Sequence, residues 1–208
     1  ADVSQVAAGM GLDKRIGRSF LNAGIGYGGS CFPKDVSAFI KIAEKNGYHF
    51  ELLKATEKVN KEQRDIIPKL LEESLWTVRG KTIGVLGLSF KPDTDDLRNA
   101  PSLDVVTYLL AQGAVVRAYD PVSMEKMKIQ FPDIHYAPNP YEAAKNADAL
   151  VLLTEWKEFG RLNFQRIKKA MNSPVVIDGR NIYDPRKMET MGIHYMSIGR
   201  PSKAGAAG

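Results

Sequence analysis

The sequence predicts an α/β fold, with a helical region over residues 1–79 followed by a doubly wound, mostly parallel sheet over residues 80–200. Three observations carry this expectation. Between Val36 and Trp76 the apolar residues recur at the three-to-four spacing of helix faces. From Lys81 onward, short apolar runs alternate with helical stretches, the pattern of parallel strands joined by helical crossovers. Arg79–Gly80 marks the change of texture, and a chain of 208 residues with 44% hydrophobic content can bury a substantial core.

In chain order, Ser4–Ala8 reads as a short helix ended by Gly9 or Gly11. Val36, Phe39, Ile40 and Ala43 lie on one helical face, and Gly47 supplies a stop. A second helical pattern runs from Glu51 to Trp76, its stripe made of Leu52, Leu53, Val59, Ile66, Ile67, Leu70, Leu71 and Leu75. Pro68 should kink that helix or mark a join. So long a stripe suits either the spine of one core or a dimer face, and periodicity alone leaves both open. Ile83–Leu88 reads as a buried strand, Pro101–Gln112 as a helix closed by Gly113, and Val115–Tyr119 as a second strand. Further strands fall around His135–Tyr136 and at Ala149–Leu153, Val175–Ile177 and Tyr195–Ile198, with helices such as Tyr141–Ala147 and Phe164–Met171 between them. The alternation is Rossmann-like. Pro201–Gly208, built of small residues, reads as a flexible tail.

Composition narrows the function classes. A single cysteine excludes an internal disulfide framework and suits a reducing cytoplasm. No apolar run reaches the ~18 residues of a membrane span, and no basic segment leads an apolar one at the start. The net charge of +5 is spread among 24 acidic residues without a basic block, which argues against a nucleic-acid partner. His49, His135 and His194 are scattered, so no metal site is expected. The chain opens without methionine inside a helical pattern, as a piece of a longer protein would.

The most informative segment is Gly26–Tyr27–Gly28–Gly29–Ser30–Cys31–Phe32–Pro33–Lys34–Asp35. Its glycines let backbone approach a ligand closely, and Pro33 opens a helix that Ser30 or Cys31 enters. A helix N-terminus and the neighbouring Lys34 both favour thiolate at Cys31. A lone cysteine is ordinarily a small buried hydrophobe, but this context favours a nucleophile. Asp35, four residues on, suits orienting a water or a neighbouring donor; alternatively it only stabilises the helix dipole.

The sheet lacks a dinucleotide fingerprint. Gly84–Val85–Leu86–Gly87–Leu88–Ser89 has no third glycine and opens no helix, although Asp120 ends the second strand where an acidic residue commonly takes a ribose hydroxyl. Lys91 and Arg98, beside Asp93, Asp95 and Asp96, stand at the carboxyl end of the first strand. A mononucleotide diphosphate fits that edge better than NAD.

These segments, with Phe20–Leu21–Asn22–Ala23–Gly24, Gly87–Arg98, Thr154–Glu155–Trp156 and Asp178–Gly179–Arg180, resemble in order the motifs of the UDP-glucose/GDP-mannose dehydrogenase family. Ser30 before the cysteine and Phe32 after it favour the branch that oxidises UDP-glucose. The resemblance implies NAD-dependent oxidation of UDP-glucose to UDP-glucuronate in two steps, the second through a thiohemiacetal and a thioester on Cys31, with Asp35 as its partner. It implies UDP-sugar contacts at Phe20, Leu21, Asn22, Ala23, Gly24, Gly28, Lys91 and Arg180, and an Arg15 that reaches a neighbouring subunit's substrate. Lys34 and Arg98 resemble cofactor contacts, and the helical region resembles one that builds a homodimer. Arg15, Lys91 and Arg180 also admit a plainer reading as surface charges. The family's amino-terminal NAD-binding domain and the helix that supplies a lysine and an asparagine near the thiol have no counterpart in this sequence, so the piece alone is expected to be inactive. The alternatives are a non-catalytic sugar-nucleotide-binding or dimerisation module and a GDP-mannose-type fragment.

Overall fold

The computed structural model describes residues 1–201; all of the expected tail except Pro201 lies outside them. Six strands form the sheet: β1 (Thr82–Leu86), β2 (Val115–Tyr119), β3 (His135–Tyr136), β4 (Ala149–Leu152), β5 (Val175–Asp178) and β6 (His194–Ser197). Their order is β3-β2-β1-β4-β5-β6, and every pairing is parallel. The order reverses between β1 and β4, so a crevice opens at their carboxyl ends.

Both faces of the sheet are covered, which is why its strands read as continuous apolar runs. Ile83, Val85, Ala149, Val151, Val175 and Ile177 pack on one side with Val105 and Leu109 of α5 (Pro101–Ala111) and Met127 of α6 (Met124–Gln130). Leu86, Leu150, Leu152 and Val176 face the other side, against Ala143 of α7 (Pro140–Ala144), Ile167 of α8 (Phe164–Ala170) and Met188 of α9 (Pro185–Thr190). Alternation along each strand thus divides one apolar run between two cores.

The preceding region holds α1 (Val3–Gly11), α2 (Phe32–Lys45), α3 (Glu51–Gln63) and α4 (Ile66–Leu75). The helix expected over 51–76 is therefore two helices, parted at Arg64–Asp65. Pro68 lies in the first turn of α4, where an N–H has no intrahelical acceptor to lose. The stripe divides at the same point. Ile67 and Leu71 are fully buried within the sheet's first core, whereas α3 contains no buried residue and leaves Leu52 and Val59 exposed. The α4 half is a core spine, and Ile67 faces inward.

One buried carboxylate ties the carboxyl edge together. Asp120 follows β2 with no solvent exposure. Its Oδ2 accepts from the Leu88 N–H at 2.7 Å, the Ser89 N–H at 3.3 Å and the Trp156 indole at 3.1 Å. Its Oδ1 accepts from the N–H groups of Val122 (3.0 Å) and Ser123 (2.9 Å). The loops after β1, β2 and β4 meet on this one group. Burial works to raise its pKa, but the backbone donors of Leu88, Val122 and Ser123 outweigh it and hold the carboxyl below its ordinary value.

A depressed carboxyl pKa stabilises the fold above the unfolded value of about 3.9 and ceases to do so as pH falls through the lower folded value. Asp120→Asn places an amide N–H₂ among donors and should cost about 3 kcal/mol in urea unfolding at pH 7. The gap between parent and variant should narrow at pH 3, where the parent's advantage is fading. An unchanged gap would contradict a charged Asp120.

Candidate functional site

The glycine-rich segment is clamped between the helices and the sheet. Asn60 of α3 reads both backbone groups of Tyr27: its Oδ1 accepts the Tyr27 N–H at 2.7 Å and its Nδ2 donates to the Tyr27 carbonyl at 3.1 Å. One turn on, Gln63 donates to the Gly24 carbonyl at 2.8 Å. From the other side, the loop after β1 contributes Asn99, whose Nδ2 donates to the Gly29 carbonyl, while the Gly29 N–H donates to the Arg98 carbonyl at 2.8 Å. Arg64 donates to the carbonyls of both Tyr27 and Asn99 and pairs with Asp104, bridging the two sides. The approach is so close that a Cβ at Gly28 would lie 2.3 Å from the Asn99 carbonyl oxygen, so glycine is required there.

The segment ends in a helix start. Cys31 is the N-cap of α2, Pro33 occupies its first turn, and the Asp35 N–H makes the helix's first bond to the Cys31 carbonyl at 2.8 Å. The thiol is exposed, with the Ser30 hydroxyl 3.7 Å away. Asp35 and Lys34 are exposed and 3.5 Å apart.

Between α3, this segment and the sheet's carboxyl edge lies a cleft of about 1150 Å³. Its charged lining residues are Lys91 after β1, Glu155 after β4 and Arg180 after β5. The Lys91 ammonium stands 5.3 Å from the centre of the Phe90 ring and has no acidic partner among the described residues. The cleft is otherwise mostly apolar, with Phe20, Tyr27, Phe32, Phe90 and Val59 in its walls. Such a lining suits an anionic ligand with a flat apolar part.

The structure gathers some of the expected residues and not others. Phe20, Asn22, Gly24, Gly28, Lys91 and Arg180 all line the cleft. Around residues 20–26 alternate residues turn away: Ile25 is fully buried in the core, Ala23 packs on that core, and Leu21 faces a hollow of about 100 Å³ shared with Arg18 and Arg200. Cys31 is not in the lining but lies between Gly28 and Phe32, which are. Arg15 is exposed outside the cleft, held by Asp13 through bonds of 3.0 and 2.7 Å. Arg98 is likewise chelated by Asp96, in a separate hollow with Lys126. The bond from Asp96, and then its charge, raise the Arg98 pKa.

The carboxyl edge of the sheet differs from a dinucleotide site in two features. Asp120, at the position of a ribose-binding carboxylate, is fully buried and both its oxygens are taken by the protein. The chain leaves β1 through Gly87 (φ +88°) into a stretch without helix until Pro101. The hollow that Arg98 lines with Asp96 and Lys126 does not include Lys34 in its lining. Among the described residues no group of three His, Cys, Asp or Glu is arranged to hold a metal, and no helix is long and apolar enough to cross a membrane.

The clamp of Asn60, Gln63 and Arg64 and the acidic member Glu155 were not singled out from sequence. Glu155 lies in a motif with a visible signal, Thr154–Glu155–Trp156; the clamp residues belong to a polar helical stretch like any solvated face.

Comparison with known proteins bears on the same segments. The chain is 47% identical over 207 residues to the UDP-glucose 6-dehydrogenase TuaD of Bacillus subtilis (strain 168), covering 99% of this chain and 45% of that protein. It is 46% identical to a UDP-glucose 6-dehydrogenase of Pseudomonas aeruginosa, covering 96% of this chain and 46% of the relative. The chain thus spans somewhat less than half the length of these curated relatives. The structure of a UDP-glucose dehydrogenase from Pyrobaculum islandicum matches with a TM-score of 0.82 and 36% identity, covering 95% of this chain and 43% of the other. Residues 1–62 match the central domain of the UDP-glucose/GDP-mannose dehydrogenase family and residues 84–185 match its UDP binding domain. These two matches take in both sides of the clamped cleft, and the chain belongs to the UDP-glucose/GDP-mannose dehydrogenase family.

Proposed function

We propose that this chain binds a UDP-sugar in the cleft and supplies the thiol for the two-step, NAD-dependent oxidation of UDP-glucose to UDP-glucuronate. The observation that carries this reading is the pair of cations, Lys91 and Arg180, in a mostly apolar cleft bordered by the segment that ends in exposed Cys31. The names of the relatives, and the family's UDP binding domain over residues 84–185, support the same substrate.

In this reading the clamped backbone of residues 20–28 orients the sugar nucleotide, and Lys91 and Arg180 hold its negative charge. Once the alcohol has become an aldehyde, the Cys31 sulfur adds to its carbonyl carbon and the oxygen takes a proton, giving a thiohemiacetal. Conversion to a thioester requires loss of a hydride and a proton, and NAD, when bound, would supply the two-electron acceptor. Water then attacks the thioester carbonyl, releasing the carboxylate and the thiol, with Asp35 placed one helical turn from Cys31 to orient that water or take its proton. Domain boundaries at 79 and 80 and a cytoplasmic location belong to the same proposal.

A homodimer is the assembly this reading favours. Phe39 and Ile42 on α2, Tyr48 after it and Leu52 on α3 are all more than half exposed, a collection of large apolar groups suited to a second copy. Arg15, outside the cleft of its own chain, would then serve the cleft of the partner.

Titration calorimetry should give tighter binding for UDP than for NAD, and Lys91→Ala should weaken UDP about tenfold, the loss of one charge-assisted contact. Tighter NAD binding, or UDP affinity unchanged in the variant, would contradict the assignment. Light scattering should report twice the chain mass, and Ile42→Asp should shift it towards that of one chain. A single-chain mass for the unsubstituted protein would remove the dimer and the role given to Arg15.

A further inference from the structure

We propose that Glu155 is a positioning residue for nucleotide binding, acting through Arg180. The inference rests on the proposed UDP-sugar reading of the cleft. The parallel register pairs Leu152 of β4 with Asp178 of β5, so the loops after these strands carry Glu155 and Arg180 side by side. The Arg180 backbone is fixed by its N–H donating to Asp178 Oδ1 at 2.9 Å. Its guanidinium is fixed at the far end by Nη2 donating to Glu155 Oε1 at 2.6 Å. On the other side lies Gly24, where a Cβ would come within 2.5 Å of Nη1. The guanidinium is therefore held at the wall of the cleft, with its side chain only 19% exposed.

The pairing is incomplete in an informative way. Arg180 Nε and Glu155 Oε2 are both buried, and neither finds a hydrogen-bond partner among the described residues. A side-on fork would satisfy both; one bond leaves each short. Leaving such groups unpaired is unfavourable, so the arrangement is poor as a device for stability alone. It makes sense as a device for aim: Glu155 holds the guanidinium by Nη2 and leaves Nη1, on the Gly24 side, to an anion in the cleft. Glu155 is also the only acidic residue among those that line the cleft, and its position against Arg180 keeps its charge paired.

The test is a double-mutant cycle on UDP and uridine binding, measured calorimetrically on the whole chain. Glu155→Ala should weaken UDP about tenfold and leave uridine within about twofold, because only the charged part of the ligand uses Arg180. Glu155→Gln keeps the length and one acceptor oxygen and should recover most of the loss. In an Arg180→Ala background, Glu155→Ala should change UDP affinity less than about twofold, since its route of action is gone. If the alanine variant does not yield folded protein, Glu155→Gln in both backgrounds runs the same cycle, with a smaller loss expected only where Arg180 is present. Losses that multiply in the double variant, equal losses for UDP and uridine, or unchanged UDP affinity in Glu155→Ala would overturn the role of Glu155. Failure of the unsubstituted chain to bind UDP would instead overturn the proposed function, and this inference with it.

Discussion

A carboxylate removed from water organises the edge on which the cleft is built. Asp120 has no solvent exposure and no cationic partner among the described residues, yet the donors converging on it keep its carboxyl below the ordinary range. The charge is balanced by dipoles: four backbone N–H groups, the indole of Trp156 and, at 3.4 Å, the Ser89 hydroxyl. Those donors come from the loops after β1, β2 and β4, so bonds to a single group fix the relative height of three strand ends. A related arrangement recurs after β5: fully buried Asp178 accepts from the N–H groups of Arg180, Ile182 and Tyr183 and from the Tyr195 hydroxyl at 2.7 Å. Burial, reinforced by the charge of Asp178, raises the Tyr195 pKa well above its usual range, which keeps that hydroxyl protonated as a donor. Lys91, Glu155 and Arg180 extend from loops pinned in this way.

The thiol belongs to a different part of the chain and reaches the same edge through the clamp. Asn60, Gln63 and Arg64 hold the segment from Gly24 to Tyr27, and Asn99 takes over at Gly29. Ile25, fully buried in the sheet's core, anchors the segment between those polar bonds. Cys31 therefore starts its helix from a fixed platform. Helical region and sheet are joined mechanically at the point where sulfur and nucleotide charge would have to cooperate. The α4 contribution to the core strengthens the same joint from below, because Ile67 and Leu71 pack with strand residues.

Much of this was legible in the sequence for physical reasons. Parallel strands buried on both faces leave continuous apolar runs, and β1, β4 and β5 were readable within two residues at either end. The cysteine segment was readable because glycine, proline and a helix start follow from local chemistry. α6 and α9 are not legible: each buries a single residue, Met127 and Met188, where α7 buries three and α8 two, so no apolar face repeats along them. The break at Arg64–Asp65 is signalled in the sequence only by Pro68, read as a kink or a join, because apolar spacing continues across it; the proline itself fits the first turn of α4. Asp120 stands in the sequence where a ribose-binding carboxylate commonly does, but that role depends on exposure, which only the folded chain reveals. Asn60 and its neighbours carry long-range bonds, spanning 33 to 39 residues, that no local pattern announces.

The central claim is that the Cys31 thiol and the nucleotide cleft form one site. It is tested most directly by following alkylation of Cys31 with iodoacetamide by mass spectrometry while UDP-glucose is titrated into the chain. The account predicts that the rate falls as the cleft fills, reaching its lowest value at saturation, because the sugar is held against the segment that carries the sulfur. An alkylation rate that stays constant at saturating UDP-glucose would mean that thiol and cleft are separate, and would contradict it.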